Sequence, residues 1–159
     1  MHMTEMAFAP ADAGDRRQII RLLNHYYTDR HLVATDDRIA RIVDGILEHP
    51  EHGFFHVART NTIVVGLVCV HYNWSLEHFG KTAWIEDIFV RSDYRNSGVG
   101  SHLLLAAIDR ARRAGSHAID FEVDENHEWA GMLAEQQGFE RLSRTRWVLN
   151  LVRALHTGP

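Results

Sequence analysis

Cysteine is almost absent from this sequence, and that shortage excludes internal disulfides. Cys69 is the only cysteine in the 159 residues, so a reducing compartment suits the chain. No apolar run approaches the ~20 residues that cross a bilayer, and the first residues lack the basic and apolar segments of a secretory signal. We therefore expect a cytoplasmic protein without a membrane partner.

Positive charge is not in excess either. Lys and Arg total 17 against 21 Asp and Glu, which gives a formal net charge of -4 at pH 7. A net negative chain has no general attraction for a phosphate backbone, so we expect no nucleic-acid partner. Repeats, low-complexity tracts and linkers are also missing, and the length suits one core. The sequence predicts a single domain over residues 1–159.

Histidine, in contrast, is abundant, with 12 residues. The densest group is formed by Glu48, His49, Glu51 and His52, which surround Pro50 in a predicted loop. Metal sites usually combine closely spaced ligands on regular elements with a third ligand. No histidine pair here recurs at helical spacing beside such a ligand. The spacing favours solvated loop histidines, and we predict no metal.

The apolar residues alternate between helical and strand periods along the chain. This pattern predicts an α/β (α+β) fold, in which helices flank a mixed, mostly antiparallel central sheet. The predicted elements are a strand at Met6–Ala9, helices that begin at Asp12 or Asp15 and at Thr35 or Asp36, strands at Phe54–Arg59, Thr62–Tyr72 and Lys81–Val90, a helix after Gly100, a strand at Ala118–Val123, a helix at His127–Gln137, and a final hairpin of Phe139–Leu142 with Arg146–Leu151.

The segment that carries chemistry lies between a predicted strand and a predicted helix. Its glycines let the backbone turn tightly, and the following helix adds unpaired N–H groups with a partial positive charge. These features predict a cradle for a pyrophosphate. The segment lacks the Gly-Lys-Ser/Thr of a nucleotide P-loop and the glycine spacing of a dinucleotide fingerprint. A loop whose glycines only turn the chain is the remaining alternative. The residues are Arg95, Asn96, Ser97, Gly98, Val99, Gly100 and Ser101.

The pattern Arg-x-x-Gly-x-Gly, after an apolar strand and before a Leu-rich helix, resembles the acetyl-CoA loop of the GNAT superfamily of N-acetyltransferases. Ile85–Val90 followed by Tyr94-Arg95 look like the diamine (spermidine/spermine) acetyltransferase branch. Other similar positions are Asp44-Gly45, Glu48–Pro50, Gly66, Tyr72, Trp74, Gly80-Lys81, Asn126, Ala130 and Gly138-Phe139. The resemblance implies a GNAT-like acyl-CoA N-acyltransferase fold. It also implies a homodimer, because that branch tends to pair.

The resemblance implies transfer of an acetyl group from acetyl-CoA to a primary amine of a small molecule, a polyamine or an amino-acid-like amine, by direct attack in a ternary complex. An alkylamine with a pKa near ~10.4 is mostly protonated at neutral pH, so a base must take its proton. The glutamate of the family's Glu-Asp pair is the expected base, here Glu86. Strand alternation predicts Glu86 with Ile88 on one face, and Asp87 with Phe89 on the other. An ion pair or a turn cap is the alternative for Glu86.

The resemblance also implies how the coenzyme is held. The backbone of Ile88, Phe89 and Val90 would pair with the pantetheine arm like an added strand. The superfamily has a bulge in this strand, and a freed N–H there would stabilise the oxyanion of the tetrahedral intermediate. Asn126, near the last predicted helix, is the remaining coenzyme contact.

Aromatic residues are the candidates for the amine side of the site. Tyr27 stands where the polyamine branch has an acidic residue. Tyr26, Tyr27, Trp74 and Trp84 could form an aromatic cage for a cation; ordinary packing is the alternative. We therefore predict that Tyr27, Trp74 and Glu86 bind the substrate.

Ala134 stands where many family members have a tyrosine that protonates the leaving thiolate. A thiolate with a pKa near ~8.5 leaves without help, so the loss need not abolish activity. The departure keeps a second hypothesis open, an acyl-CoA-binding module with weak or lost catalysis. A third hypothesis, a protein N-acetyltransferase, requires an open groove, whereas the loop predicted from Trp74 to Gly80 favours a closed pocket.

Overall fold

The structure, a computed structural model of the chain, describes residues 5–29, 35–123 and 128–151. These residues form five strands and four helices, together with two short 3-10 turns. The elements are β1 (Met6–Pro10), α1 (Arg16–Asp29), α2 (Asp36–Leu47), β2 (Gly53–Thr60), β3 (Ile63–Ser75), β4 (Gly80–Val90), α3 (Val99–Arg113), β5 (Ala118–Phe121) and α4 (Glu128–Gln136).

The strands form a single sheet in the order β1-β2-β3-β4-β5. Neighbouring strands run antiparallel from β1 to β4, and β5 pairs with β4 in parallel. Helices α1 and α2 pack on one face of the sheet, and α3 and α4 pack on the other. The predicted fold class, a mixed and mostly antiparallel sheet between helices, is confirmed.

A buried ion pair fixes the start of the first helix against the sheet. Asp12 accepts a hydrogen bond from the N–H of Gly14 at 2.7 Å, and Asp15 accepts one from the N–H of Asp12 at 3.0 Å. Asp15 is almost fully buried. Its charge is compensated by Arg59 on β2, whose Nε lies 3.0 Å from Asp15 Oδ1. Because a buried carboxylate needs such a partner, the pair determines where α1 begins.

One residue of β4 has no partner on β3. Asp87 lies opposite Cys69, and the next pair is Ile85 opposite Val70, so Glu86 is the extra residue of a β-bulge. Such a bulge interrupts the alternation of side chains and re-aims the extra residue. The bulge lies before the segment 88–90, where the resemblance had indicated it.

The bulge makes one half of the predicted alternation along β4 wrong: Glu86 does not share a face with Ile88, whereas Asp87, opposite Cys69, lies on the same face as Phe89, as predicted. Ile85 and Ile88 pack in the same core, on the α3 face, although three positions separate them. Phe89 packs in the other core, on the α1 and α2 face. Glu86 is therefore not paired with Ile88 by a regular period of two, and both Glu86 and Asp87 lie along one cavity. The physical reason is the extra residue, which shifts the phase of the strand.

Strands β4 and β5 separate after a short stretch of pairing. Their last paired residues are Ile85 and Phe121, while β4 continues to Val90. On the side that faces β5, the backbone of residues 88–90 has no strand partner in the described part of the chain. This edge forms one wall of a cleft, and its polar groups can bind a ligand, apart from the Val90 carbonyl, which accepts a hydrogen bond from Arg95.

The final hairpin predicted from Phe139–Leu142 and Arg146–Leu151 is wrong. Residues 139–150 adopt no strand, and nearly all of their side chains are exposed. Apolar alternation predicted a strand there, but a strand needs a backbone partner and the segment has none within the described chain. Among the same described residues, no helix is long and apolar enough to cross a membrane.

Two ion pairs hold this C-terminal segment, residues 139–151, beside the sheet. An Nη atom of Arg144 lies 2.9 Å from a carboxylate oxygen of Glu77, in the turn between β3 and β4. Arg146 Nη1 lies 2.6 Å from Glu122 Oε2, just after β5. These contacts are made by long side chains, so they position the segment without pairing its backbone.

A half-buried histidine on β2 predicts acid sensitivity. Burial, reinforced by the charges of Arg110 and Arg59, lowers the pKa of His56 from 6.5 to about 4, and its buried Nδ1 has no hydrogen-bond partner among the described residues. Below pH 6.5 the unfolded chain binds a proton at this residue that the folded chain binds only near pH 4. The free energy of unfolding should therefore fall as the pH falls across this window.

We expect this residue to account for on the order of 1–2 kcal/mol of that loss, because partial exposure reduces the full linkage value. The His56→Gln variant should lose the contribution, so its stability curve from urea unfolding between pH 7 and pH 4 should be flatter than that of the unmodified chain. Parallel curves for the two proteins would show that His56 is not the sensitive group.

Candidate active site

A cavity of about 720 Å³ lies in the opening between β4 and β5. Its walls come from the end of β4, the loop before α3, one face of α4, the end of α1 and the C-terminal segment. The lining includes Tyr26, Tyr27, Trp84, Glu86, Asp87, Ile88, Phe89, Val90, Arg95, Asn96, Gly98, Gly100, Ser101, Trp129, Gln136 and Arg146. Most of the residues predicted from the sequence therefore lie around one space.

The loop at one end of the cavity exposes backbone N–H groups. Asn96 and Gly98 adopt left-handed conformations, with φ of 59° and 83°, and α3 begins at Val99 without a side-chain cap. The first N–H groups of a helix have no acceptor within the helix, and they carry the positive end of its dipole. The hydroxyl of Ser97 donates to the carbonyl of Tyr94 at 2.5 Å and so points back into the loop. The arrangement suits an anion such as a diphosphate.

Arg95 fixes this loop to the end of β4. Its Nε donates to the carbonyl of Val90 at 2.9 Å, and its guanidinium carbon lies 5.9 Å from the centre of the Phe89 ring. No ion pair joins Arg95 to a carboxylate in the described part of the chain. The fixed cation can therefore serve a phosphate through its terminal nitrogens.

Two carboxylates lie on the bulge at the wall formed by β4. Glu86 is about half exposed, and its Oε2 lies 3.8 Å from Nε2 of His71 on β3. That separation is within the range of an ion pair but exceeds a direct hydrogen bond, and the half-exposed side chain is not turned into the core. Asp87 also lines the cavity. A carboxylate in this position can accept a proton from a bound amine.

Cys69 lies on β3 opposite Asp87 and is outside the cavity lining. It is buried, and its Sγ lies 3.9 Å from His71 Nε2. Burial raises the pKa of the Cys69 thiol far above its usual range, and the charges of Glu86 and Asp87 raise it further. Because the thiolate is the reactive form, the site offers no covalent route through cysteine.

Residues 16–139 match the sequence model of the Acetyltransferase (GNAT) family. The chain belongs to this family. An uncharacterised N-acetyltransferase of Methanocaldococcus jannaschii is 30% identical to it over 111 residues, which cover 69% of this chain and 49% of that protein. The chain thus spans about half the length of this curated relative. The resemblance to the superfamily is confirmed, whereas the diamine branch stays a prediction.

Solved structures share the fold of this GNAT domain. A crystal structure of an integron cassette protein, from the mobile metagenome of Cole Harbour Salt Marsh, aligns with a TM-score of 0.83 and 23% identity, covering 94% of this chain and 93% of that one. An aminoglycoside N-acetyltransferase, solved in complex with CoA, aligns with a TM-score of 0.79 and 16% identity, covering 93% and 96%. Likeness at these identities shows the common fold alone.

This GNAT domain has no tyrosine on the inner face of α4. Ala134 is buried there, and the cavity instead meets Trp129, Ala130, Leu133 and Gln136. A methyl group cannot donate a proton, so Ala134 cannot protonate a leaving thiolate.

Aromatic rings line the side of the cavity formed by α1. The Tyr26 ring lies 4.7 Å from that of Phe89 and 5.3 Å from that of Tyr27, measured between centroids. Across the opening, the guanidinium carbon of Arg146 lies 5.5 Å from the centre of the Trp84 ring. Tyr26, Tyr27 and Trp84 therefore lie in the predicted region, on walls of the same cavity.

Some predicted site residues lie elsewhere. Trp74 is 84% exposed and lines a second, more open cavity of about 530 Å³ beside Lys81. The long β3–β4 hairpin extends to Ser75 and Gly80 and carries Trp74 away from the bulge. Ser97 and Val99 are outside the lining, and Val99 packs in the core. Asn126, and the predicted helix start at His127, lie outside the described residues.

Sequence reasoning missed three residues of this region. His71 approaches Glu86 because β3 and β4 pair around the bulge; alternation from Cys69 places His71 on the same face, and this signal could have found it. Arg146 and Trp129 reach the cavity from the C-terminal segment and from α4. No periodicity indicates them, because their position depends on where distant elements pack.

Proposed function

We propose that this chain is an acetyl-CoA-dependent N-acetyltransferase that transfers the acetyl group to a primary amine of a small molecule, by direct attack in a ternary complex. The observation that carries the proposal is a single cavity with an anion cradle and Arg95 at one end and the Glu86–Asp87 bulge along its wall. Family membership supports it, as does the CoA complex of the aminoglycoside N-acetyltransferase with the same fold.

The loop and the open edge of β4 would hold the coenzyme. The N–H groups of Gly98, Val99, Gly100 and Ser101 would bind the diphosphate, with Arg95 as the cation. The backbone of residues 88–90, which has no strand partner toward β5, would pair with the amides of the pantetheine arm. A coenzyme that runs from the loop before α3 back along residues 90 to 88 would bring its thioester toward Glu86.

Glu86 would act as the general base, directly or through one water. Removing the proton from an alkylammonium at neutral pH costs about 4–5 kcal/mol. A positioned carboxylate that accepts the proton lowers this free-energy cost. The neutral nitrogen then attacks the thioester carbonyl carbon and the C–N bond forms. As the C–S bond breaks, the nitrogen loses its second proton to water and coenzyme A leaves as a thiolate. A backbone N–H on the open edge of β4 would donate to the oxyanion.

The substrate end favours a cationic amine. Glu86 and Asp87 place negative charge along the cavity, the charge of Glu122 is paired with Arg146, and Tyr26 and Tyr27 add aromatic faces. Two adjacent carboxylates suit a molecule with more than one ammonium group, as in a polyamine, while Arg146, through a nitrogen other than the Nη1 bonded to Glu122, suits an amino-acid-like amine that carries a carboxylate. We infer a small molecule because side chains from five elements surround the space.

A thiol-release assay with acetyl-CoA and a panel of amines tests this function. Polyamines, amino-acid amides and an amine-bearing peptide represent the competing substrate classes. We expect release with a small amine and none without an acceptor. Release with the peptide alone would instead assign a protein acetyltransferase.

A binding module with weak catalysis is the second candidate, and buried Ala134 favours it. Calorimetry with acetyl-CoA separates the two functions. Tight binding together with no turnover on every amine would support the module, whereas turnover would exclude it.

We also infer a homodimer formed through an exposed apolar surface, defined by Leu76, Phe79, Trp147 and Leu149. All four side chains are more than four-fifths exposed. The Arg144–Glu77 ion pair joins the hairpin turn, which carries Leu76 and Phe79, to the C-terminal segment, which carries Trp147 and Leu149. A monomer rarely leaves such a patch uncovered. Residues 140–150 adopt no strand and lie beside β5 through the Arg146–Glu122 pair, so their backbone could pair with that of a second copy.

The Trp147→Ser/Leu149→Ser double variant should dissociate this dimer. Each buried apolar side chain contributes about 1.5–3 kcal/mol, so we expect the dimer dissociation constant to rise at least ~100-fold. Sedimentation velocity measures it. Leu105→Ser, on the exposed side of α3, is the matched control and should leave the dimer intact. A monomeric unmodified chain at high micromolar concentration would contradict the proposal.

A further inference from the structure

The turn between α2 and β2 brings three potential metal ligands to one side of the backbone. His49, Glu51 and His52 surround the single proline of this turn. The N–H of His52 donates to the carbonyl of His49 at 2.9 Å, which closes the turn, and the carbonyl of His52 accepts from the N–H of Tyr72 on β3 at 2.8 Å. The sheet therefore anchors the backbone that carries the three side chains.

The three ligand atoms are close enough to share one ion. Nδ1 of His49 lies 3.2 Å from Oε1 of Glu51, Nε2 of His52 lies 4.0 Å from the same oxygen, and all three atoms lie within 4.8 Å of one another. A tetrahedral zinc with bonds of about 2.0–2.1 Å separates its ligand atoms by about 3.4 Å. Rotations of exposed side chains bridge this difference without moving the backbone.

The charge of the turn suits a cation. Glu51 supplies the one acidic group of the three, and its side chain is exposed beside the two histidines. The ion pairs of Glu51 in the described chain are with His49 and His52, not with arginine or lysine. The negative charge is thus not already neutralised by a fixed cation.

We propose that His49, Glu51 and His52 form a surface site for a divalent ion of the zinc, nickel or copper class. Two imidazole nitrogens and one carboxylate oxygen are donors that these ions prefer, whereas Mg²⁺ and Ca²⁺ require oxygen ligands. Three protein ligands leave a coordination position for water or an external group. None of the three residues lines the cavity between β4 and β5, so the site is independent of acetyl transfer.

The sequence favoured solvated histidines here because the spacing around Pro50 is not that of a regular element. The hydrogen bond that closes the turn changes this interpretation, since it places residues 49 and 52 on the same side.

Competition between the full-length protein and a chromophoric zinc chelator tests the proposal. We expect one ion per chain with a micromolar dissociation constant. His49→Ala and His52→Ala should each weaken binding at least tenfold, and Glu51→Gln should weaken it several-fold. His25→Ala, which removes an exposed histidine from α1, is the matched control and should change nothing. Excess Mg²⁺ should not displace the zinc.

Cobalt substitution gives a second measurement. Tetrahedral Co²⁺ bound by two nitrogens and one oxygen has visible absorption bands, and these bands should vanish in the His49→Ala/His52→Ala double variant. The proposal is overturned if the double variant binds zinc as tightly as the unmodified chain, or if His25→Ala weakens binding equally. All of these variants should keep their thiol-release activity, so the metal site and the proposed acetyltransferase can fail separately.

Discussion

The Glu86→Gln variant is expected to lose about 10²–10⁴-fold in kcat/KM for the amine at pH 7, the range that a general base contributes. Glutamine keeps the size and the hydrogen-bonding shape of the side chain but cannot accept the proton. The loss should shrink at alkaline pH, because the free fraction of an alkylamine rises about tenfold per pH unit below its pKa. Steady-state thiol release from pH 6.5 to pH 10 measures the effect.

Asp87→Asn is the matched control, since Asp87 neighbours Glu86 on the bulge and lines the same cavity. We expect this variant to change KM more than kcat, because the Asp87 carboxylate attracts the cationic amine but does not take its proton. Full activity of Glu86→Gln at pH 7, or a larger kcat loss in Asp87→Asn, would move the base to the other carboxylate. Unchanged acetyl-CoA binding in both variants would show that the coenzyme site is intact.

Arg95→Ala is expected to weaken acetyl-CoA binding by about 10–100-fold. A hydrogen bond to a charged group contributes about 1.5–3 kcal/mol, and this guanidinium also fixes the loop through its 2.9 Å bond to the Val90 carbonyl. The binding loss should be larger than the loss in kcat at saturating coenzyme, because the diphosphate is remote from the reacting bond. Calorimetry with CoA and the KM for acetyl-CoA both report it.

Arg91→Ala is the control for general charge at this end of the sheet. Arg91 pairs with Asp93 at 2.8 Å and is not part of the cavity lining, so its removal should leave coenzyme affinity within about twofold, the usual effect of a surface pair. Equal losses in the two variants would indicate a diffuse electrostatic effect. No loss in Arg95→Ala would remove the loop from the proposed site.

The glycine loop could be predicted because its signal is local. Arg95, Gly98 and the helix that begins at Val99 are consecutive in the sequence, and glycine tolerates the left-handed conformation that Gly98 adopts. The class of fold could also be predicted, because the helical and strand periods of the apolar residues are local signals as well. Both rest on interactions between near neighbours along the chain.

The resemblance implied a bulge in β4, but its exact residue could not be predicted, because the apolar run around it hides the phase of the strand. Ile85 and Ile88 both satisfy a buried strand, whether or not an extra residue lies between them. Only pairing with Cys69 and Val70, on another strand, assigns the extra residue to Glu86. The position of both carboxylates on the cavity depends on that non-local register.

The C-terminal hairpin failed for a related reason. Alternation from Arg146 to Leu151 indicates a strand, but strand formation also requires a partner edge. In the described chain this segment has ion pairs and no ladder. Trp74 was misplaced because the length of the β3–β4 hairpin is set by pairing, which composition does not reveal.

The sole thiol of the chain is shielded beneath the sheet, and this has a practical consequence for measuring turnover. Cys69 is buried, and the pKa of its thiol is raised. Disulfide reagents that become coloured on reaction with a thiol should therefore not react with the folded protein. Colour in such an assay would then report released coenzyme alone. In the absence of substrate, the slow rate of colour development would report the rate at which complete unfolding exposes the Cys69 thiol.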